Sequence, residues 1–166
     1  MYGRLPGFGM LRAFSEWTDR EVARLDPGCF AMVMATGVIS NAFFFLGQSA
    51  LSDLLLAVNL AVYPILFLLM IWRITRFKEE LWVDLINPRL VFLFFTMVAG
   101  TVVLGVGIDV RGYARVAVSM WVFALTVWVC LNYLSFGVLI LHNNAQRADI
   151  IHGGWLIGIV GTESLV

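Results

Sequence analysis

Residues 30–40 read FAMVMATGVIS and residues 95–105 read FTMVAGTVVLG. Laid over each other without a gap, the two stretches share phenylalanine, methionine, valine, threonine and a second valine at an offset of 65 residues. A third stretch, LIGIVGTESLV at residues 156–166, keeps the small residue followed by threonine. The pairs Ala35-Thr36, Gly100-Thr101 and Gly161-Thr162 thus recur at spacings of 65 and 61 residues, each within an apolar segment. A repeat of about two spanning segments is a plan that transporters and channels use to set related helices around a shared axis.

Working outward, the composition decides the solvent. Hydrophobic residues make up 61% of the 166-residue chain and charged residues 13%, too few to cover a water-soluble domain of this size. The chain reads as an all-α integral membrane protein. Its net charge of zero gives no basic surface for nucleic acid. Cys29 and Cys130 both sit inside apolar segments and read as small hydrophobic residues rather than a disulfide or a metal site.

A helix crosses the bilayer in about 20 residues at about 1.5 Å per residue, and five segments qualify or begin to. They run over about 28–47, 51–73, 89–107, 114–141 and 153–166, the fifth being short and read here as truncated. Asp26-Pro27 and Asn87-Pro88 each set a capping side chain before a proline suited to the first helical turn, so both mark entries into odd-numbered spans. Residues 1–27 form an N-terminal segment, in which 10–25 carry the stripe of a short interfacial helix. Residues 28–166 form the membrane domain.

Nine of the 11 basic residues precede the first span or lie in the loops around Lys78 and Arg147, and only Arg111 and Arg115 lie on the other side. That asymmetry predicts a multi-pass protein of the cell membrane, inner or plasma, with a cytoplasmic N-terminus. Odd spans then run in one direction, and the repeat is parallel about an axis along the membrane normal. Gly, Ala, Ser and Thr are about twice as frequent in the odd spans as in the even ones, which are rich in Leu, Val, Phe and Trp. Small residues let backbones approach and leave room for a lumen, so the odd spans read as inner helices around a pore.

On this reading the pore-lining candidates are Thr36, Gly37, Ser40, Gly100, Thr101, Gly158, Gly161 and Thr162. With no Lys or Arg inside the odd spans, a permeating anion would meet hydroxyls and backbone dipoles. Back-bonding to a carbonyl one turn earlier is the competing role for each threonine. Glu163 is the one ionisable residue deep inside a span, and a carboxylate there costs about 3 kcal/mol unless it faces the interior, pairs or holds its proton. It is the candidate for proton coupling. Asn41, Asn59 and Asn132 read as interhelical hydrogen-bond partners. No metal-ligand cluster, cofactor motif or nucleophile–base pair stands out, so neither a cofactor nor an enzymatic activity is expected.

The stretches DPGCFAMVMATG at 26–37, NPR at 87–89 followed by LVFLFFTMVAGTVVLG, and HGGWLIGIVGTESLV at 152–166 resemble the tellurite-resistance and dicarboxylate transporter family. That family includes bacterial tellurite-resistance proteins, yeast malate and sulfite transporters and plant slow-type anion channels. The resemblance implies helical hairpins around a central pore, of which this chain would be the N-terminal half of a ten-helix bundle, with homotrimers when full length. It implies transport of a small anion across the bilayer: a dicarboxylate such as malate, sulfite, or an inorganic anion. The alternative is a membrane assembly subunit that does not itself transport.

Overall fold

The Asp26 carboxylate accepts a hydrogen bond from the Gly28 amide at 2.7 Å, and Pro27 fills the first turn, where its missing N–H costs nothing. The chain then winds as a 3-10 turn, Pro27–Phe30, into α1 (Ala31–Phe45). It reverses through Gly47, whose φ of 78° is left-handed and therefore favours glycine. Next come α2 (Ser49–Arg76), a short α3 (Lys78–Ile86), a second 3-10 turn (Val91–Phe94) and α4 (Phe95–Asp109). After a second left-handed glycine, Gly112, come α5 (Ala114–His142) and α6 (Trp155–Glu163). This computed structural model describes residues 18–142 and 155–166. Half of the expected interfacial helix over 10–25, namely 10–17, and His152 lie outside the described residues, while 18–23 are helical. No strand occurs among the described residues.

The repeat seen in the sequence is also a repeat of backbone shape. The first and third spans each open with a four-residue 3-10 turn and continue as a 15-residue α-helix. Both close on a left-handed glycine, Gly47 and Gly112, again 65 positions apart. Among the described residues, four helices, Pro27–Phe45, Ser49–Arg76, Val91–Asp109 and Ala114–Val138, are long and apolar enough to cross a membrane.

Helix α4 is the centre of the bundle. It packs against α1 on one side, α6 on another and α5 on a third, and 67% of its span is buried, against 17% for α2 and 11% for the α5 span. Phe30, Phe94, Phe95, Val98, Val102, Ala124 and Leu131 form the core between these helices. The apolar faces left open on α2 and α5, such as Leu54, Leu68, Val118 and Val122, suit contact with lipid, where an aqueous protein would carry polar side chains.

Between the second and third spans the sequence reading left a plain loop, whereas KEELWVDLI folds as α3. Glu79 and Glu80 in its first turn complement the helix dipole, and Trp82 and Val83 form an exposed apolar face. Asn87 accepts from the Arg89 amide at 3.0 Å, but Pro88 lies in a turn, so helix α4 starts seven residues after Pro88 rather than on it.

Candidate functional site

The small-Thr pairs lie along an inner arc in which α4 stands between α1 and α6. Its glycines set how close the helices come. A methyl group at Gly37 would meet Val103 Cγ1 at 2.7 Å and Asn59 Nδ2 at 3.0 Å. One at Gly100 would meet the Phe30 carbonyl oxygen at 3.2 Å, so α1 and α4 touch backbone to backbone. On the other flank, Gly158 lies against the Phe92 ring and Gly161 against Phe95, each with 2.9 Å to a built Cβ. These four glycines thus serve close packing in this structure, the role expected of small residues between membrane helices.

Each threonine hydroxyl has its own setting. Thr101 is buried, donates back to the Met97 carbonyl at 2.6 Å and shares a 2.9 Å hydrogen bond with the Tyr63 hydroxyl on α2. Thr162 donates to the Gly158 carbonyl at 3.0 Å and accepts from the Trp128 indole N–H on α5 at 3.1 Å. Tyr63 and Trp128 are themselves 65 positions apart. The repeat therefore includes an aromatic on the outer helix that holds the threonine of the next inner helix. The Thr101 and Thr162 hydroxyls are turned towards outer helices and do not meet around one lumen within this chain. Thr36 is half-buried, and no such aromatic donor holds it among the described residues.

Ser40 is likewise engaged. Its hydroxyl donates to the Ser52 carbonyl at 2.7 Å while Ser52 Oγ donates to the Ser40 carbonyl at 2.8 Å, a reciprocal pair that staples α1 to α2. Arg111 extends the staple: it donates to Ser52 Oγ at 2.7 Å, to Asp53 at 2.7 and 3.0 Å and to the Gly107 carbonyl at 2.8 Å, with its guanidinium 5.1 Å from the Phe44 ring centre. The sequence offered Arg111 only as a loop charge. Serines at matching heights on two adjacent spans were the available signal. Glu163 ends α6 and is exposed.

The asparagines divide. Asn59 donates to the Val33 carbonyl at 3.0 Å and Asn41 to the Val103 carbonyl at 3.1 Å, both between helices. Asn132 instead donates to the Trp128 carbonyl at 2.9 Å on its own helix, which corrects the interhelical expectation for it. At the opposite end from Arg111, Arg73 is 2% exposed, donates to the Leu25 carbonyl at 2.9 Å and forms an ion pair with Asp84 on α3. This pair folds α3 back against α2 and ties both to the chain just before Asp26. No group of three or more metal-ligating side chains occurs among the described residues.

An all-helical bundle with four bilayer-length apolar helices is a multi-pass membrane protein. Residues 24–165 match the family described as SLAC1, voltage-dependent anion channel, and the chain belongs to that family. It is the family to which the stretches at 26–37, 87–105 and 152–166 pointed. Membership brings anion transport as the general activity and a channel or transporter class rather than an enzyme class. No curated protein and no solved structure matches the chain.

Proposed function

We infer that the inner arc of α1, α4 and α6 forms one wall of an anion pathway, which passes small anions such as a dicarboxylate, sulfite or an inorganic anion. The observation that carries this reading is the layering of the chain: the small-residue helices pack on one another through glycine, while the bulky helices α2 and α5 flank them and keep apolar faces outward. Membership of the anion channel family supports the same reading. Further inner helices, in a trimer of ten-helix subunits, would complete the wall. The excess of basic residues around Arg24, Arg76 and Lys78 favours a cytoplasmic N-terminus in a cell membrane.

Among the residues of the arc, Gly37, Gly100, Gly158 and Gly161 would set the spacing of the helices that form the wall, and Ser40 would hold the α1 part of it in place. Thr101 and Thr162 would contribute their level in the wall rather than a free hydroxyl, since Tyr63 and Trp128 hold those hydroxyls. Thr36 is the candidate for direct contact. With no fixed cation in these helices, selectivity would rest on hydroxyl and backbone dipoles together with pore width.

The two threonines separate under substitution. In reconstituted vesicles, Thr36→Val is expected to change anion flux or selectivity severalfold with unchanged thermal stability, because valine keeps the shape and removes the hydroxyl. Thr101→Val is expected to lower stability by about 1 kcal/mol through loss of the Tyr63 bond, and Tyr63→Phe to do the same. Unchanged flux in Thr36→Val would remove the hydroxyl from the pathway.

Glu163 fits proton coupling in the same scheme. It lies eight residues, about 12 Å, into α6 from Trp155, a depth at which an ionised carboxylate is costly. Glu163→Gln is expected to flatten the pH dependence of flux while leaving expression intact, as read by uptake at several external pH values. A wild-type pH profile in the variant would assign Glu163 a packing role.

A further inference from the structure

Helices α4, α5 and α6 enclose a cleft of about 200 Å³ on the side of α4 away from α1. Its walls are apolar, built from Phe92, Phe95, Phe136 and Ile159. Phe136 and Ile159 are 63% and 57% exposed, so the cleft opens sideways between α6 and the bulky helix α5, whose apolar faces suit contact with lipid. Two polar atoms of its lining residues are buried without a partner: the Ser135 hydroxyl, on a residue only 3% exposed, and the Trp155 indole nitrogen. Buried polar groups are nearly always satisfied, so this pair calls for a ligand atom.

The donor set says what that atom is. An indole N–H only donates, and a serine hydroxyl can donate, so both suit an acceptor oxygen. Asn132 also lines the cleft and donates one of its amide N–H groups to the Trp128 carbonyl. Among the described residues, no basic side chain lines the cleft. An anion would give up its water for neutral donors alone, whereas a neutral carbonyl loses far less on entering. Depth narrows the choice further. Ser135 lies 21 residues along α5 from Ala114, about 31 Å, which is the full thickness of a hydrocarbon core of about 30 Å. Trp155 opens α6 at the same end, with its ring 5.4 Å from that of Phe92 at the start of the third span. The two free donors therefore sit at the level where acyl chains join the glycerol backbone, and interfacial tryptophan is common there.

We propose that this cleft binds the glycerol-ester region of a bilayer phospholipid, with an ester carbonyl accepting from Trp155 and Ser135 and the start of the acyl chain lying between Phe92, Phe136 and Ile159. The cleft shares Gly158 and Thr162 with the wall of the proposed anion pathway, but its test reads lipid retention and does not involve transport.

Vesicles of dioleoyl phosphatidylcholine and of its diether counterpart, which lacks the two carbonyls, separate ester recognition from greasy contact. After extraction in mild detergent, native mass spectrometry counts the lipid retained on the protein. The wild type is expected to retain the diester over the diether by about fivefold or more, the effect of one net hydrogen bond. Ser135→Ala and Trp155→Phe are each expected to bring that ratio towards one. Equal retention of the two lipids by the wild type overturns the proposal, as it would if another helix or a second copy filled the cleft. A ratio that survives in both variants also overturns it. The wild-type comparison needs no variant, so a folding failure in either one leaves the test intact.

Discussion

Asp84→Ala is expected to lower folding stability by about 3–5 kcal/mol, the cost of leaving a buried arginine without its counter-charge. Arg73 is almost wholly buried near the end of α2, and it also donates to the Leu25 carbonyl, with its Nε unpartnered. Removing the carboxylate leaves the buried guanidinium without its ion-pair partner, although Asp26 and Glu80 line the same cleft. Replacing the whole pair, as in the double variant Arg73→Met with Asp84→Leu, is expected to recover most of that loss, because no unpaired charge remains. Unfolding in mixed micelles, followed by circular dichroism, reads both. A loss below about 1 kcal/mol in Asp84→Ala would mean that water reaches the pair and that it acts as a surface salt bridge.

The second large effect concerns the closest approach of α1 and α4. Gly37→Val places its Cβ 2.7 Å from Val103 Cγ1 and 3.0 Å from Asn59 Nδ2, and it adds two methyl groups beyond that. Overpacking of this kind costs about 3 kcal/mol, and the displaced Asn59 also loses its bond to the Val33 carbonyl. Gly137→Ala is the matched control. It lies in α5 with nothing within 4 Å of the added methyl group, so its effect should stay within about 1 kcal/mol. Equal behaviour of the two variants would show that α1 and α4 separate freely at Gly37.

Both predictions rest on features that differ in how far the sequence announced them. Gly37 was marked by its place beside Thr36 in a span rich in small residues, and close packing follows from that composition alone. The partner of Arg73 was not marked. Nothing in KEELWVDLI identifies Asp84, rather than Glu79 or Glu80, as the side chain that reaches a buried guanidinium, because that depends on how α3 folds back on α2.

The sequence by itself determined the solvent, the helical class and the repeat. Runs of about 20 apolar residues admit only helices that satisfy their own backbone in a bilayer. The Asp26-Pro27 start and the 65-residue offset survive folding because caps, turns and left-handed glycines are local chemistry. Tertiary structure alone decided which way each polar side chain turns. Thr101 and Thr162 sit in matching sequence contexts with Thr36, yet Tyr63 and Trp128 draw two of the three hydroxyls towards outer helices. Asn41 and Asn59 cross to another helix while Asn132 bonds within its own. Hydropathy is nearly uniform around these spans, so no amphipathic stripe fixes the rotation of a helix. That rotation is set by the fit of glycine notches against Phe92, Phe95 and Val103, a property of two surfaces together and of neither sequence segment alone.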